Sequence, residues 1–96
     1  MMREQVLLKL AASKEELARR FGVPGLALFG SIARDAARDD SDVDVLVSFD
    51  GPATSMRYFG VQFFLEDLLA RPVDLVTDKA LRTELRPYVE REAVHV

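Results

Sequence analysis

The apolar positions of this chain follow two spacings, one helical and one typical of strands. Near the N-terminus, an apolar residue at every third or fourth position predicts a short helix over residues 3–11. Ser13 and Glu16 then have the spacing of a capping box, which predicts a second helix over residues 13–21. Gly22 is expected to end that helix, because glycine readily closes a helix C-terminus.

Short runs bounded by turn residues indicate strands further along the chain. The predicted strands are residues 26–29, 42–49 and 73–77, with residues 93–96 as a short edge strand. The predicted helices between them are residues 32–37, residues 56–70 with Ser55 as the cap, and residues 79–91, which Pro87 must kink or restart. This order of elements predicts an α+β (α/β) fold, a small mixed sheet of three to four strands flanked by helices.

The long predicted helix carries an apolar stripe that should be covered. Its members, which are expected to face the core or a partner, are Met56, Phe59, Phe63 and Leu68. With 96 residues, of which 49% are apolar, the chain has the size and composition of one folded domain over residues 1–96. Because so short a chain has a modest core, association with itself or with another protein is expected.

Composition and charge exclude several classes of protein and of site. The lack of cysteine rules out disulfides and thiolate metal sites. No apolar run approaches the roughly 20 residues that a membrane span needs, and no signal-peptide pattern is present, so a cytoplasmic protein is expected. A net charge of -3 argues against tight non-specific binding to nucleic acid, which needs a surplus of basic residues.

Asp42 and Asp44 are the first candidates for chemistry. Because side chains alternate along a strand, both carboxylates should project from one face. Keeping both ionised near neutral pH requires a cation between them, and oxygen ligands select magnesium, manganese or calcium. Magnesium bound to a nucleoside triphosphate fits best, since magnesium commonly combines one or two carboxylates with phosphates. The alternative is a solvated acidic loop, which the apolar neighbours of Asp44 disfavour. An EF-hand is excluded by the missing glycine and glutamate.

Two further features point to the same chemistry. Asp74 is a single charge within an apolar strand, so three carboxylates meet if its strand neighbours that of Asp44; otherwise it is an exposed residue or a partner of an arginine. Gly30 and Ser31 lie where a buried strand meets a helix, a place where backbone and free amides can approach a phosphate. A turn with a helix cap explains that pair equally well on its own. The single histidine, His95, is assigned no role.

Three segments together resemble the signature of the DNA polymerase β-like nucleotidyltransferase superfamily, and within it the minimal nucleotidyltransferase group. The segments are Gly30-Ser31-Ile32-Ala33-Arg34, then Ser41-Asp42-Val43-Asp44-Val45-Leu46-Val47, then Asp74. The resemblance covers essentially the whole chain. One departure is Asp35, which stands where members of the family commonly have glycine.

The resemblance implies a role for each of these residues. Those implied to be catalytic and to bind two magnesium ions, with manganese as the alternative, are Asp42, Asp44 and Asp74. Those implied to bind the nucleotide substrate, ATP, are Gly30, Ser31, Arg34 and Ser41. Asp74 would also serve as general base for the acceptor hydroxyl. For Arg34, the alternative to a phosphate contact is a structural ion pair with Asp42 or Asp39.

The resemblance also implies a partner. Similar stand-alone proteins are typically antitoxins that neutralise a HEPN-domain ribonuclease toxin by transferring AMP to one of its tyrosines. The expected activity is therefore magnesium-dependent transfer of AMP from ATP to a hydroxyl of such a toxin. Two alternatives stay open: an inactive module that neutralises the toxin by contact, and a nucleotidyltransferase acting on a small molecule or on RNA. The second alternative leaves little chain for an acceptor-binding domain.

Overall fold

The fold is built on a four-stranded mixed β-sheet, and the computed structural model describes residues 3–38 and 40–96. The helices are α1 (Arg3–Phe21), α2 (Gly30–Ala33), α3 (Ser55–Leu69) and α4 (Arg86–Glu92). The strands are β1 (Gly25–Phe29), β2 (Val43–Ser48), β3 (Val73–Thr77) and β4 (Val94–His95), and a 3₁₀ turn at Asp78–Ala80 follows β3. The predicted α+β (α/β) class is confirmed. None of the helices in the described part of the chain has the length and apolar character required to cross a lipid bilayer.

The strand order is β3-β2-β1-β4. β1 pairs antiparallel with β2 and with β4, whereas β2 and β3 are parallel and are joined by the crossover helix α3. Alternate side chains of β2, namely Val43, Val45 and Val47, are fully buried in the core that the sheet forms with α1 and α3. The intervening side chain of Asp44 therefore projects from the opposite face of the sheet.

Helix α1 is one continuous helix, so the predicted pair of helices over residues 3–11 and 13–21 is wrong. A single buried stripe runs along it, formed by Val6, Leu10, Ser13 and Leu17 at spacings of three and four residues. Ser13 is thus a buried residue inside the helix and not its cap, and no glycine or proline interrupts residues 3–21. The helix ends at Gly22 as predicted, with φ of 69° at that residue.

The other differences from the predicted boundaries are small. Helix α2 lies earlier than the predicted residues 32–37, because Asp35 adopts a left-handed conformation with φ of 59° and stops the helix. Thr54, not Ser55, caps α3, since its hydroxyl accepts a backbone N–H of the first turn. Pro87 lies in the first turn of α4, so it restarts a helix after the 3₁₀ turn and does not kink a longer one.

The apolar stripe of α3 divides between core and solvent. Leu68 packs against the core, whereas Met56, Phe59 and Phe63 are 86%, 49% and 65% exposed. The buried face of α3 is a different one, formed by Val61, Leu65 and Leu69. A core position for the three exposed residues is therefore wrong, and their assignment to a partner surface stays a prediction.

Helix α3 also covers the free edge of β3. Tyr58 Oη and Gln62 Nε2 donate to the carbonyl oxygens of Leu75 and Val73, and Glu66 accepts from the N–H of Val73. These three side chains follow one another at intervals of four residues, so they share one face of the helix. These side chains provide hydrogen-bond partners for backbone groups of β3 that would otherwise be unpaired at the edge of the sheet.

Candidate active site

Two carboxylates lie side by side on the sheet. Strands β2 and β3 are neighbours, and Asp44 is in register with Asp74. Their side chains are therefore neighbours on one face of the sheet, close enough for the charge of Asp74 to act on Asp44. Because both residues alternate with buried apolar residues, the pair lies on the face of the sheet opposite to α1 and α3.

The proton affinity of Asp44 is strongly altered. Burial, the charges of Asp74 and Asp42, and the hydrogen bond to Asp74 together raise the pKa of Asp44 from 3.8 to about 6, while the charge of Arg34 opposes the shift. Repulsion between neighbouring carboxylates is relieved when a cation lies between them. The electrostatics of the site therefore favour a bound cation near neutral pH.

Asp42 lies one residue before β2, so the strand predicted over residues 42–49 begins one residue later. Its side chain is exposed, and its charge reaches Asp44. Across residues 3–38 and 40–96, no three or more acidic or histidine side chains converge as the ligands of one metal ion do. The donor set still suits magnesium, because it consists of carboxylate oxygens, and Asp44 and Asp74 are in register on neighbouring strands. The ligand roles of Asp42, Asp44 and Asp74 stay predictions.

Gly30 packs directly against Asp44. It follows β1, begins α2 and has φ of 76°, a conformation that glycine adopts without strain. A Cβ atom at this position would overlap Oδ2 of Asp44. The lack of a side chain at Gly30 therefore lets the carboxylate lie against the junction of β1 and α2. The next residue, Ser31, is half-buried in the same junction.

Arg34 forms an ion pair that no local sequence pattern indicates. Its Nη1 donates to both carboxylate oxygens of Glu92, at 3.1 and 3.0 Å, and the N–H of Gly30 donates to Glu92 Oε1 at 3.2 Å. The structural partner of Arg34 is thus Glu92 and not the suggested Asp42, while a pairing with Asp39 falls outside the described residues. The two partners are 58 positions apart in the chain, beyond the reach of motif spacing.

Ser41 belongs to the loop that leads into β2. Its Oγ accepts from the N–H of Arg38 at 2.8 Å, and its carbonyl oxygen accepts from Arg71 Nη2 at 2.7 Å. Arg71 Nη2 also donates to the carbonyl oxygen of Arg38 at 3.1 Å. Arg71, which lies between α3 and β3, thus holds the loop that leads to Asp42. Nucleotide binding by Ser41 stays a prediction.

A comparison with known proteins identifies the family to which this chain belongs. The family model described as the nucleotidyltransferase domain matches residues 10–95. This chain belongs to that family. It is a nucleotidyltransferase, similar to the protein adenylyltransferase MntA of Thermococcus cleftensis, with 40% identity over 93 residues, 97% of this chain and 94% of the relative.

Solved structures show the same fold. A minimal nucleotidyltransferase superposes with a TM-score of 0.83 at 37% identity, covering 98% of this chain and 95% of the other. A complex of a tri-AMPylated HEPN toxin of Shewanella oneidensis with an MNT antitoxin gives a TM-score of 0.70 at 19% identity, covering 98% and 71%. A toxin-antitoxin structure with AMP-PNP also gives 0.70, at 23% identity and coverage of 84% and 67%. At identities this low, the last two show the fold alone.

The backbone conformation at Asp35 suits the residue that stands there in place of glycine. Asp35 stands where members commonly have glycine, and its φ of 59° lies in the left-handed region that favours glycine. Aspartate is one of the few other residues that tolerate this region. The turn after α2 therefore forms despite the substitution.

Proposed function

We propose that this protein uses bound magnesium to transfer AMP from ATP to a hydroxyl of a partner protein, namely a tyrosine of a cognate HEPN toxin. The observation that carries the proposal is that Asp44 and Asp74 lie in register on neighbouring strands, with Gly30 packed against Asp44. Support for a protein acceptor comes from the name of the relative MntA and from the AMPylated HEPN toxin in the complex of similar fold. The structure with AMP-PNP supports an adenine nucleotide as donor.

Five residues of the site have a task in this proposal. Asp42, Asp44 and Asp74 would hold the magnesium, which when bound would supply positive charge to balance the negative charge of the transferred phosphate. The main chain of Gly30 and the hydroxyl of Ser31 bind the triphosphate. The side chain of Asp74 is exposed, and its carboxylate accepts the proton of the acceptor hydroxyl. The hydroxyl oxygen then bonds to the α-phosphorus while the bond to the pyrophosphate breaks, and pyrophosphate leaves.

The partner is proposed to dock on α3. Its apolar patch consists of Met56, Phe59 and Phe63, with the rings of the two phenylalanines stacked 6.3 Å apart between centroids. At 100° per residue, the patch adjoins the helix face that bonds the backbone of β3. β3, whose edge α3 covers, carries Asp74 on the opposite face of the sheet, so a toxin docked on this patch extends past that edge to reach the proposed general base.

Phe63→Asp is expected to weaken binding of the partner by at least about tenfold, because it places a charge in the centre of an apolar contact. Stability should change little, since the side chain is mostly exposed. Affinity is measured by calorimetry with the cognate toxin, and stability by urea unfolding. Leu8→Asp, an equal change at an exposed position of α1, serves as the control. If Phe63→Asp and Leu8→Asp bind the toxin with equal affinity, the α3 patch is not the docking surface.

ATP binding is expected to require a divalent cation, because the unscreened carboxylates of Asp42, Asp44 and Asp74 repel a triphosphate. Calorimetry with magnesium should show binding, and excess chelator should abolish it. Manganese should restore binding after the chelator has been removed. Equal ATP affinity with and without a divalent cation would contradict the proposed function.

A further inference from the structure

The carboxylate of Glu92 binds two groups that are candidates for contacting the nucleotide, the N–H of Gly30 and the guanidinium of Arg34. It accepts from the N–H of Gly30 at 3.2 Å and forms two hydrogen bonds with Nη1 of Arg34. The proposed function assigns the main chain of Gly30 to the triphosphate, and the family resemblance implies a phosphate contact for Arg34. An anionic group of the protein itself therefore lies where a phosphate oxygen would bind.

The position of Glu92 in its own helix is unfavourable for a negative charge. It is the last residue of α4, where the helix dipole favours cations. The contacts with Gly30 and Arg34 compensate for that position and connect α4 to the junction of β1 and α2. The carboxylate thus has a favourable environment only while those two groups are directed at it.

The ion pair of Arg34 with Glu92 is exposed enough to solvent for a ligand to replace Glu92. The side chain of Arg34 is 53% exposed and that of Glu92 is 29% exposed, and solvent weakens an ion pair of this kind. A triphosphate carries more negative charge than one carboxylate and forms stronger charge-assisted hydrogen bonds with a guanidinium and a backbone N–H. It can therefore replace Glu92 on both groups.

We propose that Glu92 is an affinity-determining residue of the nucleotide site, whose carboxylate occupies the N–H of Gly30 and the guanidinium of Arg34 until the triphosphate displaces it. This inference rests on the proposed function. It makes Glu92 an internal competitor that lowers the affinity for nucleotide and does not take part in the chemical step. Binding of ATP should release the end of α4 from Arg34.

The test compares the Kd for ATP with magnesium, measured by calorimetry, in wild type, Glu92→Gln and Glu90→Gln. Glu92→Gln should bind about three- to tenfold more tightly, because the amide competes less well than the carboxylate for Arg34. Glu90→Gln removes the same charge from the same helix, where Glu90 pairs with Arg86 at 3.3 Å, and should bind as wild type does. Equal or weaker binding by Glu92→Gln would overturn the inference. If the wild-type protein binds no ATP at all, the proposed function is wrong, and so is this inference.

A second measurement uses the wild-type protein, so it does not depend on how the variant folds. The ¹³C NMR signal of the Glu92 carboxyl carbon is followed while ATP and magnesium are added. Displacement should move this signal towards that of a solvated carboxylate, in proportion to the bound fraction, with little change at Glu90. An unchanged Glu92 signal at saturation would show that the carboxylate keeps its contacts and would overturn the inference.

Discussion

Asp44→Asn is expected to lower the rate of AMP transfer by at least about a hundredfold while the protein stays folded. The amide is nearly isosteric with the carboxylate, so packing against Gly30 is retained. It is neutral, however, and leaves the charge of the metal and triphosphate poorly balanced. The rate is measured with labelled ATP, magnesium and the cognate toxin. Glu15→Gln, at an exposed position of α1, provides the matched loss of one charge. Transfer at the wild-type rate would contradict the assignment of Asp44.

The same variant should be more stable than the metal-free wild type at neutral pH. Since the pKa of Asp44 is raised from 3.8 to about 6, the folded protein binds a proton more tightly than the unfolded chain does. This proton stabilises the wild type below about pH 4, and the stabilisation is lost as the pH rises through about 6. After allowance for partial exposure, the stability gain of Asp44→Asn should grow to about 1–2 kcal/mol over this range. Urea unfolding at pH 4 and pH 7.5 measures it, and a pH-independent difference would contradict the raised pKa.

Gly30→Ala is expected to destabilise the protein by about 2–4 kcal/mol and to abolish ATP binding. Alanine at φ of 76° is strained, and its Cβ would overlap the carboxylate of Asp44, which must then move. Gly25→Ala, at the other end of β1, is the matched control, because the nearest atom to its added Cβ is 3.9 Å away. Urea unfolding and calorimetry compare the two variants. Equal stability and equal ATP binding would show that close packing at Gly30 is unnecessary.

The strands and the meeting of Asp44 with Asp74 could be predicted because they depend on strong local signals. Alternating or continuous apolar runs mark β2 and β3, and a charge inside such a run is conspicuous. Parallel pairing then requires only that the helix between the strands cross over the sheet. Residues 73–77 were predicted with the bounds that the structure shows.

Other features depend on packing that a single sequence does not display. Ser13 fits a helix cap and a small buried position equally well, and only the continuous core beneath α1 decides between them. Which face of α3 is buried depends on how the helix lies against β3, so Phe63 could not be assigned to core or solvent. The contact of Arg34 with Glu92 joins distant parts of the chain. The single domain over residues 1–96, the cytoplasmic location and self-association stay predictions.

Intact-mass measurement of the cognate HEPN toxin tests most directly whether this protein acts by AMP transfer. The toxin is incubated with ATP, magnesium and either wild type or Asp44→Asn, and its ribonuclease activity is assayed on the same samples. Wild type should add the mass of one or more AMP groups to a tyrosine and inactivate the toxin, whereas Asp44→Asn should do neither. If Asp44→Asn inactivates the toxin as well as wild type does, with no gain in mass, the protein neutralises by contact and the transfer mechanism is wrong.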